Sequence, residues 1–174
     1  MDLIASFNAH KIQTSFFLTV DGILKEGVLY FLFDTGAVCS LIGLNSLFPD
    51  DETARKDAFT RIIKDELVAQ HVSSRPESLR TANNQEVTTY PCLKRGVSIE
   101  GTAKRDFYFD FSFDEVSLPL LGTSFSDDCA YSHAINGNIN ITGIKEQAGA
   151  EYYKGLNILE FDDIAIKFQK DRLS

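Results

Sequence analysis

No CxxC or CxxH spacing occurs in the sequence, and its three cysteines, Cys39, Cys92 and Cys129, are odd in number and far apart. A zinc clamp and a disulfide framework are therefore excluded, and free buried thiols in a reducing compartment are expected. Long apolar runs are also missing. Nothing approaches the roughly 18 consecutive apolar residues of a membrane span, and Met1-Asp2-Leu3-Ile4 lacks a basic segment followed by an apolar stretch. A soluble, cytoplasmic chain without a membrane partner is the expectation. Positive charge is scarce, with 17 Lys and Arg against 25 Asp and Glu and a net charge of −8, so nucleic acid is a poor partner. No polar low-complexity tract is present; 44% of residues are apolar and 14 are Phe, enough for the chain to fold unaided. An internal repeat is absent too, which excludes two fused similar lobes. Residues 1–174 fit one domain.

Two runs of β-branched and aromatic residues, 15–20 and 28–33, flank a stretch containing Asp21-Gly22 and Lys25-Glu26-Gly27, predicting a β-hairpin. Residues 50–72 switch to helical period, with Ala54, Ala58, Phe59, Ile62, Ile63, Leu67 and Val68 three or four apart, and Pro76 follows. That segment is predicted to be an amphipathic helix inserted into a β fold. Strand signals return over 79–90 around Asn83-Asn84, a pair suited to a tight turn. A further hairpin, 93–100 with 104–113, is expected about Gly101-Thr102; in its second arm Phe107, Phe109, Phe111 and Phe113 alternate with Tyr108, Asp110 and Ser112. The aromatic face of that strand is predicted to be core. Fourfold spacing of Phe125, Cys129 and His133 predicts a short helix over 124–134, followed by a turn at Asn136-Gly137 and strands at 139–144 and 164–168.

The densest chemistry lies in Leu32-Phe33-Asp34-Thr35-Gly36-Ala37. A carboxylate straight after an apolar strand is costly to bury unless hydrogen bonds compensate it. Gly36 lets a backbone N–H approach the carboxylate, and the Thr35 hydroxyl can bond a nearby backbone group, which together position Asp34.

Residues 31–42, an apolar strand, Asp-Thr-Gly-Ala and a second apolar strand, resemble the retropepsin-like aspartic proteases. That family carries an aliphatic pair, a glycine and a short helix roughly 80 to 90 residues further on, and Leu120-Leu121-Gly122 followed by 124–134 is similar. Between them it places a flap hairpin, for which 79–87 is the candidate, with Ala82, Asn83 and Asn84 at its tip. The resemblance spans about residues 15–125. The longer helix at 50–72, Asn-Asn in place of flap glycines and an extended segment after about 125 depart from it.

The resemblance implies an all-β fold with a helical insertion: an acid-protease barrel, a single lobe forming a homodimer. It implies peptide or protein as substrate, with neither cofactor nor metal. Asp34 becomes half of a dyad, Thr35, Gly36 and Ala37 its scaffold, and the 79–90 hairpin a lid. Ala37 stands where pepsin-like relatives carry a serine whose hydroxyl can bond the catalytic carboxylate, so activity is expected to extend further toward neutral pH.

Other candidates are weaker. His10, His71 and His133 are isolated, Cys39 has no histidine partner in the sequence pattern, and Asp127-Asp128 and Asp162-Asp163 lack the spacing of a calcium loop and read as solvated carboxylates. Two rival readings remain: a binding or assembly module on the same fold without turnover, and an unrelated β-barrel that lines an apolar ligand pocket with the phenylalanine stripe.

Overall fold

A computed structural model of the chain describes residues 11–20, 23–47, 57, 61, 64–70, 77–80, 86–99, 102–113, 116, 118–135 and 137–173. The described chain is mostly β-strand with few helices. Strands β1 (Lys11–Val20) and β2 (Ile23–Phe33) form an antiparallel hairpin whose register closes at Val20↔Ile23, leaving a two-residue connection. Lys25, Glu26 and Gly27, expected in the turn, are in β2 instead, because that tight register pairs them with Leu18, Phe17 and Phe16. After β3 (Leu41–Gly43) comes a one-turn helix, α1 (Leu44–Leu47). Of the helix expected over 50–72, Asp57, Arg61 and α2 (Lys64–Gln70) are helical, and the rest lies outside the described residues. Leu67 is buried there, whereas Val68, assigned to the same stripe, is exposed.

Strands β4 (Glu77–Arg80), β5 (Glu86–Val97), β6 (Arg105–Ser112) and β7 (Leu120–Leu121) complete most of the main sheet. Its order is β1-β2-β7-β3-β6-β5-β10, with β4 also on β5, where β10 is Leu159–Glu160. The two hairpins expected around 83–84 and 101–102 are present as β4–β5 and β5–β6. A separate two-stranded ribbon joins β8 (Cys129–His133) and β9 (Ile139–Ile144).

Two expectations are corrected. The predicted helix over 124–134 stops after α3 (Thr123–Ser126), and 129–133 is strand. Gly137, at a φ of 86° that favours glycine, turns the chain so that β8 pairs with β9, and the ladder claims these residues. The predicted strand at 164–168 lies inside α4 (Phe161–Leu173). Phe161, Ile164, Ala165 and Phe168 are all buried, a helical repeat of three and four, while Ile166 faces out. Asp162 and Asp163 in the first turn suit the helix dipole.

The phenylalanine stripe is core. Phe107, Phe109 and Phe111 are fully buried and pack ring to ring, Phe107 against Phe31 at 5.3 Å and Phe125 at 6.1 Å, Phe109 against Phe161 at 6.4 Å. It fills the interior rather than lining a cavity. The opposite, polar face of β6 is also covered: Asp110 and Ser112 are fully buried, and Tyr108 stacks on Tyr153 from the segment before β10. No helix of the described residues is long and apolar enough to cross a membrane.

Candidate functional site

Strand β7 is only two residues long, yet it wedges between β2 and β3, parallel to the first (Leu32↔Leu120, Phe33↔Leu121) and antiparallel to the second (Leu41↔Leu120). The Leu32 N–H donates to the Pro119 carbonyl at 2.8 Å and the Asp34 N–H to the Leu121 carbonyl at 3.0 Å. Asp34 therefore sits where β2 leaves the sheet, held by its own backbone.

Beyond it the chain turns tightly. The Ala37 N–H donates to the Asp34 carbonyl at 3.2 Å, and the Gly36 N–H donates to Asp34 Oδ1 at 2.8 Å. A Cβ on Gly36 would lie 3.1 Å from that oxygen, so close approach is what calls for glycine here. Asp34 is half-buried, and Thr35 and Gly36 are exposed, so the carboxylate is fixed at the surface.

The start of α3 closes on this turn from the other side. The Thr123 N–H donates to the Ala37 carbonyl at 2.8 Å and the Ser124 N–H to the Val38 carbonyl at 2.7 Å. These are amides that a helix start cannot satisfy internally, and the loop uses them. Thr123 Oγ1 adds a bond to the Val38 carbonyl at 3.3 Å, and the Gly122 N–H donates to Ser40 Oγ at 3.3 Å. Gly122 is indispensable for the fit: a Cβ there would lie 2.3 Å from the Cys39 carbonyl oxygen and 2.8 Å from that of Ala37.

Behind the loop lies a polar network that the sequence pattern did not reveal. The Asp110 N–H donates to the Ser40 carbonyl at 2.7 Å. Its carboxylate accepts from Thr89 Oγ1 at 3.2 Å and from the Tyr153 hydroxyl at 2.9 Å, and all three residues are fully buried. Burial, and then the Asp110 charge, pushes the Tyr153 phenol well above its usual range, so it stays a donor. A carboxylate in the middle of an aromatic strand was the available signal for Asp110; Tyr153 had none.

Asp34, Thr35, Gly36 and Ala37 are thus gathered on one clamped turn. Ala82, Asn83 and Asn84 lie outside the described residues. Their hairpin arms pair as Leu79↔Val87 and Arg80↔Glu86, and Val87 packs with Leu41, Val116 and Leu120 in a small cluster on the strands that flank the turn.

None of the three cysteines is in a disulfide; Cys39 and Cys92 are buried and Cys129 is half-buried. Burial pushes the Cys92 thiol well up, and burial with Asp128 and Asp127 nearby pushes Cys129 to about 11, so neither is a poised nucleophile. His133 is exposed; His10 and His71 lie outside the described residues. Asp127 and Asp163 are exposed as expected, and Asp162 pairs with Lys94 at 3.3 Å. Asp128, expected to be merely solvated, instead accepts the Gly149 N–H at 2.8 Å beside Lys145, which holds its carboxyl below the usual range. Among the described residues no three His, Cys, Asp or Glu side chains gather into a metal site. Comparison with protein-family models, curated proteins and solved structures finds no match to the chain.

Proposed function

We propose that the chain is one half of a retropepsin-like aspartic endopeptidase, active in a reducing, cytoplasmic compartment to which its free thiols are suited. One observation carries the reading. Asp34-Thr35-Gly36-Ala37 and Leu120-Leu121-Gly122, the two segments paired by the resemblance, are far apart in sequence and locked together in space, by backbone hydrogen bonds on both sides of Asp34. Such a lock holds a carboxylate at a fixed surface position without burying it, which is what activation of a water requires.

In this reading two Asp34 carboxylates, one per copy, share a proton about a twofold axis. The ionised one takes a proton from water as it attacks the peptide carbonyl. The protonated one polarises that carbonyl and then assists the leaving amine. Asp110 is unsuited to be the second member within one chain, because its carboxylate is buried and bonded to Thr89 and Tyr153. Seating of Val87 on Leu41 and Leu120 supports a lid role for the β4–β5 hairpin.

The decisive experiment incubates purified chain with an unfolded protein substrate, with and without a statine-type transition-state mimic. Cleavage that the mimic blocks and Asp34→Asn abolishes, with the unfolding midpoint unchanged, is expected. A folded chain that binds peptide without cleaving it is instead the non-catalytic module, and cleavage by purified Asp34→Asn removes the aspartate mechanism.

A further inference from the structure

Residues 146–155, between β9 and β10, run through consecutive turns and lie beyond the 15–125 stretch that carries the resemblance. The segment nevertheless sends Ala148, Gly149 and Tyr153 into the interior, Tyr153 completely. Its first half is fixed on the end of α3. The Lys145 N–H donates to the Asp128 carbonyl at 2.9 Å and the Gly149 N–H to Asp128 Oδ2 at 2.8 Å. Gly149 has a φ of 87°, and a Cβ there would lie 3.3 Å from the Ser124 carbonyl oxygen, so the segment also rests on α3 itself. Its second half is fixed on β6. The Tyr153 ring stacks on that of Tyr108 at 5.7 Å, and its hydroxyl donates to Asp110 Oδ2 at 2.9 Å.

Helix α3 and strand β6 are the elements that hold the loop after Asp34. The Thr123 and Ser124 amides bond the Ala37 and Val38 carbonyls, and the Asp110 N–H bonds the Ser40 carbonyl at 2.7 Å. Thr35, Gly36 and Val38 are exposed, whereas Cys39 and Ser40 are buried, so the loop is supported from its rear. Asp110 combines two tasks in one residue: its N–H holds the loop, and its carboxylate is held by Tyr153 and Thr89. A buried carboxylate that loses a donor shifts toward another donor or toward water. In a single residue that shift pulls on the backbone N–H as well.

We infer that Tyr153 is a positioning residue for Asp34, acting through Asp110 on the 37–40 loop, and that residues 146–155 are a brace behind the turn. The inference rests on the half-site reading above for its catalytic meaning, while the brace itself rests on the bonds just described. Displacement of a reacting group by about 1 Å costs on the order of 100-fold in rate, so a residue remote from the substrate can set turnover by fixing where Asp34 stands.

Amide hydrogen exchange followed by nuclear magnetic resonance tests the brace on the full chain, with no need of turnover. Wild type is compared with Tyr153→Phe and with Phe168→Leu, a core substitution on α4 that lowers stability away from the turn; circular dichroism checks each fold. Tyr153→Phe is expected to speed exchange at the Asp110, Thr123 and Ser124 amides by about 10-fold or more relative to amides of the β1–β2 ladder. Phe168→Leu is expected to raise no such difference between the two sets. In peptide cleavage, measured where each variant is folded, Tyr153→Phe is expected to lower kcat about 10-fold with KM unchanged, and Phe168→Leu to leave kcat unchanged. If Tyr153→Phe protects the three amides as wild type does, or speeds both sets equally, the brace is overturned and the half-site reading stands. Selective loosening with kcat unchanged overturns the positioning role alone. A wild-type chain that cleaves nothing at concentrations where sedimentation shows dimer removes the half-site reading and the positioning role with it, and exchange still decides the brace.

Discussion

Gly122→Ala is expected to be among the most damaging single-methyl additions to this protein. The new Cβ would meet backbone, with the Cys39 carbonyl oxygen at 2.3 Å, its carbon at 2.7 Å and the Ala37 carbonyl oxygen at 2.8 Å. Ordinary contact begins near 3.4 Å, so the loop over 37–39 must retreat by about 1 Å. That movement takes the Thr123 and Ser124 amides, now at 2.8 and 2.7 Å, out of hydrogen-bonding range of the Ala37 and Val38 carbonyls. Overpacking a rigid site costs about 1–3 kcal/mol, and each lost bond costs about 0.5–1.5 kcal/mol. The expected destabilisation is about 2–6 kcal/mol against a usual domain stability of about 5–15 kcal/mol. Gly155→Ala is the control: its φ is 81°, but nothing lies within 4 Å, so only backbone strain of about 1 kcal/mol opposes it. Urea unfolding followed by far-UV circular dichroism suits a chain without tryptophan. If Gly122→Ala loses no more stability than Gly155→Ala at equal m-value, the clamp does not hold the turn as described.

Tyr153→Phe removes the 2.9 Å donor to the buried Asp110 carboxylate and is expected to cost about 1–3 kcal/mol; an unmoved urea midpoint would show that the network is not needed. For the shared site, the cleavage rate is expected to fall as the square of chain concentration below the dimer dissociation constant and linearly above it, so constant turnover per chain in conditions where sedimentation shows monomer counts against two half-sites. Asp128 has its carboxyl lowered, first by the Gly149 N–H and then by Lys145. Its contribution to stability is therefore full above the ordinary carboxylate range and lost as pH falls through the lower folded value. Asp128→Asn should flatten the acid limb of the stability curve and narrow its difference from wild type there, and a parallel offset at every pH would refute that linkage. Cys129, pushed up to about 11, should alkylate slowly at pH 8 and faster as pH rises toward that value; rapid labelling in the folded state at pH 8 would contradict the burial.

Local patterns in the chain carried a large part of the fold. The β1–β2 hairpin, the Phe107–Phe111 stripe and strand β9 are evident because alternation and turn chemistry act over a few neighbouring residues. Where two periods fit the same residues, the pattern was ambiguous. Ile164, Ile166 and Phe168 alternate like a strand, but Phe161, Ile164, Ala165 and Phe168 also repeat like a helix, and burial of the second set decided it. Phe125, Cys129 and His133 repeat like a helix, and Asn136-Gly137 reads only as a turn after it; pairing of 129–133 with β9 took precedence over spacing.

The same division holds at the site. By itself the sequence determined the turn, since Asp34 after an apolar strand and Gly36 two positions on are enough to bring an N–H onto the carboxylate, a contact of |i−j| = 2. Tertiary structure alone decided what immobilises it: the β7 wedge, the Gly122 contact with Cys39 and the Asp110–Tyr153 bond join residues tens of positions apart. Tertiary structure likewise put Asp110 in the core and the β8 residues Ala130 to His133 at the surface. Short-range order follows from steric and hydrogen-bonding preferences of neighbouring residues, whereas burial depends on which distant segments cover a face, a property no local window contains.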